Sequence, residues 1–162
     1  MEIKLWRQLL LNGAVNLFWK EEILVKYISE MINEGFDIYE IDCSKWKSNN
    51  YLNELADAFN YRNHYGASLH SFDDGLGDLT SEGTGIVLVF RNYDKFAKKN
   101  QKGAHEVLNI IQNNAWRFLL EDESLKLLAF VQSNDPWINF PELGTLSAEW
   151  NPDEWLNKSR GL

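Results

Sequence analysis

An α/β fold, with a mainly parallel sheet of about four strands flanked by helices, is predicted by three observations. Segments with strand periodicity alternate along the chain with segments of helical periodicity, the order expected when helices cross over between parallel strands. Two runs, GIVLVF at 85–90 and LKLLAFV at 125–131, are apolar almost without interruption, as strands buried on both faces must be. No internal repeat, low-complexity tract or clear linker divides the 162 residues. That length suits one domain, able to bury roughly 70% of its unfolded-chain surface.

The elements follow in order. Residues 14–19 (AVNLFW) form a short apolar strand. Residues 21–33 carry Ile23, Leu24, Tyr27, Ile28, Met31 and Ile32 at helical spacing, and Gly35 stands just past the end, where helices stop. Residues 36–43 (FDIYEIDC) alternate apolar and polar side chains, the period of a strand. Ser48 or Asn49 caps a helix running to Phe59, with Leu52, Leu55, Ala56 and Phe59 on one face. After the strand at 85–90, a short helix is expected over 92–100 and a long one over 104–120, through Val107, Leu108, Ile111, Ala115 and Phe118. The strand at 125–131 follows. Pro136, Pro141, Gly144 and Pro152 then break a Trp-rich tail that ends in a short helix near 153–158.

Acidic residues outnumber Lys plus Arg by 24 to 16, for a net charge of −8. No basic footprint for nucleic acid is evident, and no stretch approaches the ~20 apolar residues of a membrane span. One cysteine, Cys43, rules out an internal disulfide and any multi-cysteine zinc site. That usage fits a reducing cytoplasm, and no signal peptide is read at the N-terminus. The acidity is concentrated. No Lys or Arg lies between Arg62 and Arg91, where Asp73, Asp74, Asp78 and Glu82 contribute −4, nor between Lys126 and Lys158, where five acids contribute −5.

The first of these segments contains HYGASLHSFDDGLGDL, residues 64–79. It reads as a Tyr-Gly turn followed by a helix that Ser68 caps. At 100° per residue, Leu69, Phe72, Leu76 and Leu79 face the core, while His70, Asp74 and Asp78 form one ridge on the open side. Asp73 flanks the apolar stripe. Two interior glycines cost such a helix roughly 1 kcal/mol each, and they leave its surface low enough for another backbone or a bulky cation to approach.

Several of these features resemble the barstar family. They are Tyr39-Glu40-Ile41-Asp42, the helix at 52–59, His64-Tyr65-Gly66, Leu69, Asp74-Gly75-Leu76, the strand at 85–90, Gly103-Ala104 with Val107-Leu108, and the strand at 125–131. The resemblance spans about 36–133. It implies a three-layer fold in which the Tyr-Gly turn and the acidic helix plug the active site of a ribonuclease, as barstar does with a secreted bacterial enzyme. Asp74 then takes the place of the family's key inhibitory aspartate, and Tyr65-Gly66 that of the turn before it. His64 replaces the first of two tyrosines, His70 a second helix aspartate, and Asp73 a contact-side tryptophan. Near Asn113 the family carries a glutamate that meets the enzyme. These departures point to a cationic toxin other than the family's original target, secreted or delivered into the cell. The binding residues expected are His64, Tyr65, Gly66, Ser68, His70, Asp73, Asp74, Asp78 and Asn113. The protein is expected to be a monomer when free and to need no cofactor.

Residues 1–35 then form an added strand–helix unit within the single domain. Residues 134–162 form an acidic extension with Trp137, Trp150 and Trp155, which either enlarges the binding surface or covers a sheet edge. Two other classes compete. A metal-assisted hydrolase would use His70 with Asp74 at i,i+4 as ligand or base. A scaffold module would recruit a partner through the tail tryptophans. Gly83-Thr84-Gly85 lacks the Lys-Ser/Thr of a phosphate loop and precedes a strand. Cys43 reads as a small buried residue, and Lys98, Lys99 and Lys102 as a solvated patch.

Overall fold

A computed structural model describes residues 3–121 and 125–162. Five parallel strands form one sheet in the order β2-β3-β4-β1-β5. They are β1 (Val15–Phe18), β2 (Phe36–Asp42), β3 (Gly85–Arg91), β4 (Lys126–Gln132) and β5 (Glu149–Trp150). Seven α-helices flank it among the described residues: α1 (Leu5–Leu11), α2 (Glu21–Asn33), α3 (Tyr51–Ala58), α4 (Arg62–Tyr65), α5 (Leu69–Gly77), α6 (Tyr93–Lys99) and α7 (Gln101–Leu120).

Strand alternation divides the interior into two cores. Ile86, Leu88 and Phe90 of β3 point toward α3, α5, α6 and α7 and pack with Leu55, Phe72, Leu76, Phe96 and Ile111. Val87 and Val89 point the other way, to Leu9 of α1 and Leu24, Tyr27 and Met31 of α2. The result is the three-layer α/β arrangement that the sequence predicts, and α2 and β2 begin where the periodicity places them. No helix among the described residues is long and apolar enough to cross a membrane.

The sheet, expected to hold about four strands, has five, and two other expectations need correction. The fifth lies in the acidic tail, where Asn16 and Leu17 of β1 pair with Glu149 and Trp150, so the extension covers the outer edge of β1. The N-terminal unit is helix–strand–helix, because α1 precedes β1. Lys4 offers α1 no side-chain cap; instead the Glu34 carboxylate accepts from Leu5 N–H at 2.8 Å and Trp6 N–H at 2.9 Å. A cap supplied from 28 residues away leaves no local signature. The terminal helix is a short 3-10 turn at Asn157–Arg160, since Pro152 and the Asn151 and Glu154 side chains bind 151–154 into a turn against β1.

That turn joins the two extensions. Glu154 is fully buried; its carboxylate accepts from Trp19 N–H, Lys20 N–H and Asn151 Nδ2 at 2.8–2.9 Å, just before α2 starts. Asn151 Nδ2 also donates to Leu17 O at 2.9 Å. Arg160, buried beneath the tail, donates to the carbonyls of Pro136, Glu154 and Trp155 and stacks 4.4 Å over the Trp150 ring. Trp137 and Trp155 remain exposed.

Candidate functional site

The site begins where α3 ends. Tyr61 precedes the single turn of α4, and Arg62 grips Asp57 with two hydrogen bonds of 2.8 and 2.9 Å. The chain then reverses at Gly66, whose φ of +85° and ψ of −153° only glycine adopts without strain. Two serines fasten the reversal to α5. Ser68 Oγ caps the helix, accepting from Ser71 N–H at 3.0 Å, and Ser71 Oγ donates to Tyr65 O at 2.6 Å. The two hydroxyls share a further bond of 2.8 Å. Ser68, placed by sequence at the N-cap, occupies it.

Helix α5 carries the expected two faces. Phe72 and Leu76 are fully buried, and each contributes about 1.5–3 kcal/mol by leaving water, which outweighs the roughly 1 kcal/mol penalty of each glycine. Gly75 is demanded by close packing against a ring, while Gly77 lies against only the far end of a long side chain. A Cβ on Gly75 would stand 2.6 Å from the Tyr61 ring, and one on Gly77 the same distance from Arg117 Nη2. The bulky cation that approaches the helix is thus one of the chain's own.

The open ridge points outward. His70 has 86% of its side chain exposed and Asp74 has 42%, with His70 Nε2 3.5 Å from Asp74 Oδ2. Asp78, also exposed, accepts a short hydrogen bond from the Tyr65 hydroxyl. That bond, helped by the charge of the same carboxylate, raises the phenol above its ordinary pKa. Tyr65, Asp74, Asp78, Arg117, Phe118 and Glu121 line a groove of about 810 Å³ between α5 and α7.

The remaining expected residues lie elsewhere. His64 is exposed on α4 with its ring 6.5 Å from that of Tyr65. Asp73 is half-buried and turned inward, its Oδ1 accepting from Asn114 Nδ2 at 2.6 Å. Asn113 is exposed on the next position round α7 and lines a separate small groove with Trp116, Leu143 and Leu146. One helical residue is 100° of rotation, which separates Asn113 from the α5 face and gives that face to Asn114. Asn114 and Arg117 were not anticipated from sequence. Their i,i+3 spacing on an amphipathic helix was visible, but not which neighbour they would meet.

His70 and Asp74 have no third metal-type ligand gathered beside them among the described residues. A second cavity, about 560 Å³ between the α6–α7 elbow and the tail, is lined by none of the expected residues. Cys43 is fully buried, and burial pushes its thiol far above the usual range.

A search of curated proteins returned no match. A family model described as Barstar (barnase inhibitor) matches residues 36–132. The match runs from the first residue of β2 to the last of β4 and takes in the whole of the Tyr-Gly turn, α5 and α7. With more than half of its residues covered, and with the three-layer fold and outward acidic helix in place, the chain belongs to the barstar family of ribonuclease inhibitors.

Proposed function

We propose that this protein is an intracellular immunity or antitoxin-type inhibitor, which closes the active site of a cationic ribonuclease-like toxin with the outer ridge of α5. A cleft that binds RNA must present cations to phosphate, and a carboxylate on a fixed helix can occupy the phosphate position, receiving charge-assisted bonds from Arg or Lys. The observation that carries this reading is Asp74. It stands on a capped helix in the middle of the family match, open to solvent, with only His70 as an ionic neighbour among the described residues. Tyr65 and Asp78, tied to each other at the rim of the groove, extend the same surface. Gly66 and Ser68 act on it indirectly, by setting the turn and the helix start.

The test is inhibition of RNA cleavage. The probes are barnase, the enzyme in the family's description, and other small basic ribonucleases. Against any enzyme the wild type inhibits, Asp74→Ala should cost about 2–5 kcal/mol of binding, the general cost of stranding a buried partner cation; close charge pairs across the barnase–barstar interface itself couple by about 1.5–7 kcal/mol. Raising the salt should slow association more than it speeds dissociation. An Asp74→Ala protein as protective as the wild type would exclude the α5 ridge as the inhibitory surface.

A further inference from the structure

Among the described residues, the other charged groups lining the groove of Arg117, Asp74, Asp78 and Glu121, are all acidic, and Asn114 orients the guanidinium there. Its Nη2 donates to Asn114 Oδ1. Asn114, only 1% exposed, has its amide nitrogen fixed by Asp73 Oδ1 at 2.6 Å and Ile110 O at 3.0 Å, so its oxygen can face only Arg117. Gly77 supplies the floor: a Cβ there would stand 2.6 Å from Nη2. The inward turn of Asp73, unexplained if this carboxylate met the partner, is the first link of this relay.

A guanidinium has five N–H donors in a planar fork. Among the described residues Arg117 uses one hydrogen bond and makes no ion pair with Asp74, Asp78 or Glu121. The side chain is exposed and the groove is open at that point. A guanidinium prefers a planar, two-oxygen acceptor and repels a cation. A structure that fixes one cation among acids therefore imposes an alternating pattern on whatever docks.

We propose, resting on the inhibitor reading above, that Arg117 is a recognition cation. It selects a partner protein that places a carboxylate side chain in the α5–α7 groove between the cations meeting Asp74 and Asp78, and it disfavours a partner whose cleft is cationic throughout. Selection of this kind works by building a repulsion against the wrong partner as much as an attraction for the right one.

Inhibition constants against barnase would test it. The inhibitors are the wild type, Arg117→Ala, Arg117→Glu and Asp74→Ala; the targets are barnase and barnase variants in which each cleft Lys or Arg is replaced in turn by Glu. Removing a close like-charge contact should make Arg117→Glu inhibit unmodified barnase about tenfold better than the wild type. At least one Glu-bearing barnase should gain a similar factor with the wild type and lose it with Arg117→Ala. If both Arg117 variants match the wild type against every target, including the case in which none inhibits, the inference is overturned. Asp74→Ala separates the two readings. Loss of inhibition there with silent Arg117 variants removes this inference alone, whereas an unaffected Asp74→Ala removes the reading on which it rests.

Discussion

The hydroxyl of Tyr61 lies under α5 with no hydrogen-bond partner among the described residues, and burial pushes its phenol well above the ordinary range. The ring is needed, since it packs on Phe72 and against Gly75, but the oxygen carries a desolvation cost with nothing opposite. Tyr61→Phe should therefore raise stability by about 1 kcal/mol, read as a higher urea midpoint at unchanged slope. Adjacent aspartates show how finely position decides a role at this scale. Asp74 faces solvent and Asp73 faces Asn114, although they differ by one step of the helix. The outward direction of Asp74 was legible from the His70–Asp74–Asp78 ridge. The partner of Asp73 was not, because Asn114 lies 41 residues away and only packing brings it near.

At the level of elements, the glycines of α5 give a contrast. Both Gly75→Ala and Gly77→Ala gain up to about 1 kcal/mol of helix propensity. In Gly75→Ala the new methyl meets a rigid, buried aromatic ring at 2.6 Å; overpacking of about 1–3 kcal/mol should prevail and lower the melting temperature. In Gly77→Ala the methyl meets the far end of an exposed arginine, which can swing aside. Thermal unfolding of that variant should show unchanged or slightly raised stability, while the Arg117 guanidinium leaves Asn114. The elements that sequence placed well, α2, β2, β3 and the core of α7, are those whose apolar period is long enough to speak for itself. Helix α1 and strand β5 were invisible because each depends on a distant partner: Glu34 for the start of α1, the exposed edge of β1 for β5. Glu154 plays the same part before α2. Glu154→Ala would leave the Trp19 and Lys20 N–H groups without their acceptor and Asn151 Nδ2 with only Leu17 O, at a cost of about 3 kcal/mol. Hydrogen exchange should localise the loss to Trp19 and Lys20.

Over the whole molecule, the family match covers three neighbouring strands from one edge of the sheet, β2, β3 and β4, and the two flanking segments together complete the other side. Residues before 36 supply β1, and residues after 132 supply β5 and the Asn151–Glu154 turn that holds β1 in place. The acidic character of the tail thus has a partly structural origin, with Glu154 spent inside. The inhibitory surface proposed here draws instead on α5 and α7, on the side of the sheet away from α1 and α2. Strand β1, the earliest to be synthesised, lies between β4 and β5, the two made last. On the ribosome, Val15–Phe18 must wait more than a hundred residues for either neighbour, and long-range pairing of that kind is slow and prone to sticking. Newborn chains will therefore carry an unfinished, greasy edge until β4 and β5 have been made, and holding chaperones should find them there.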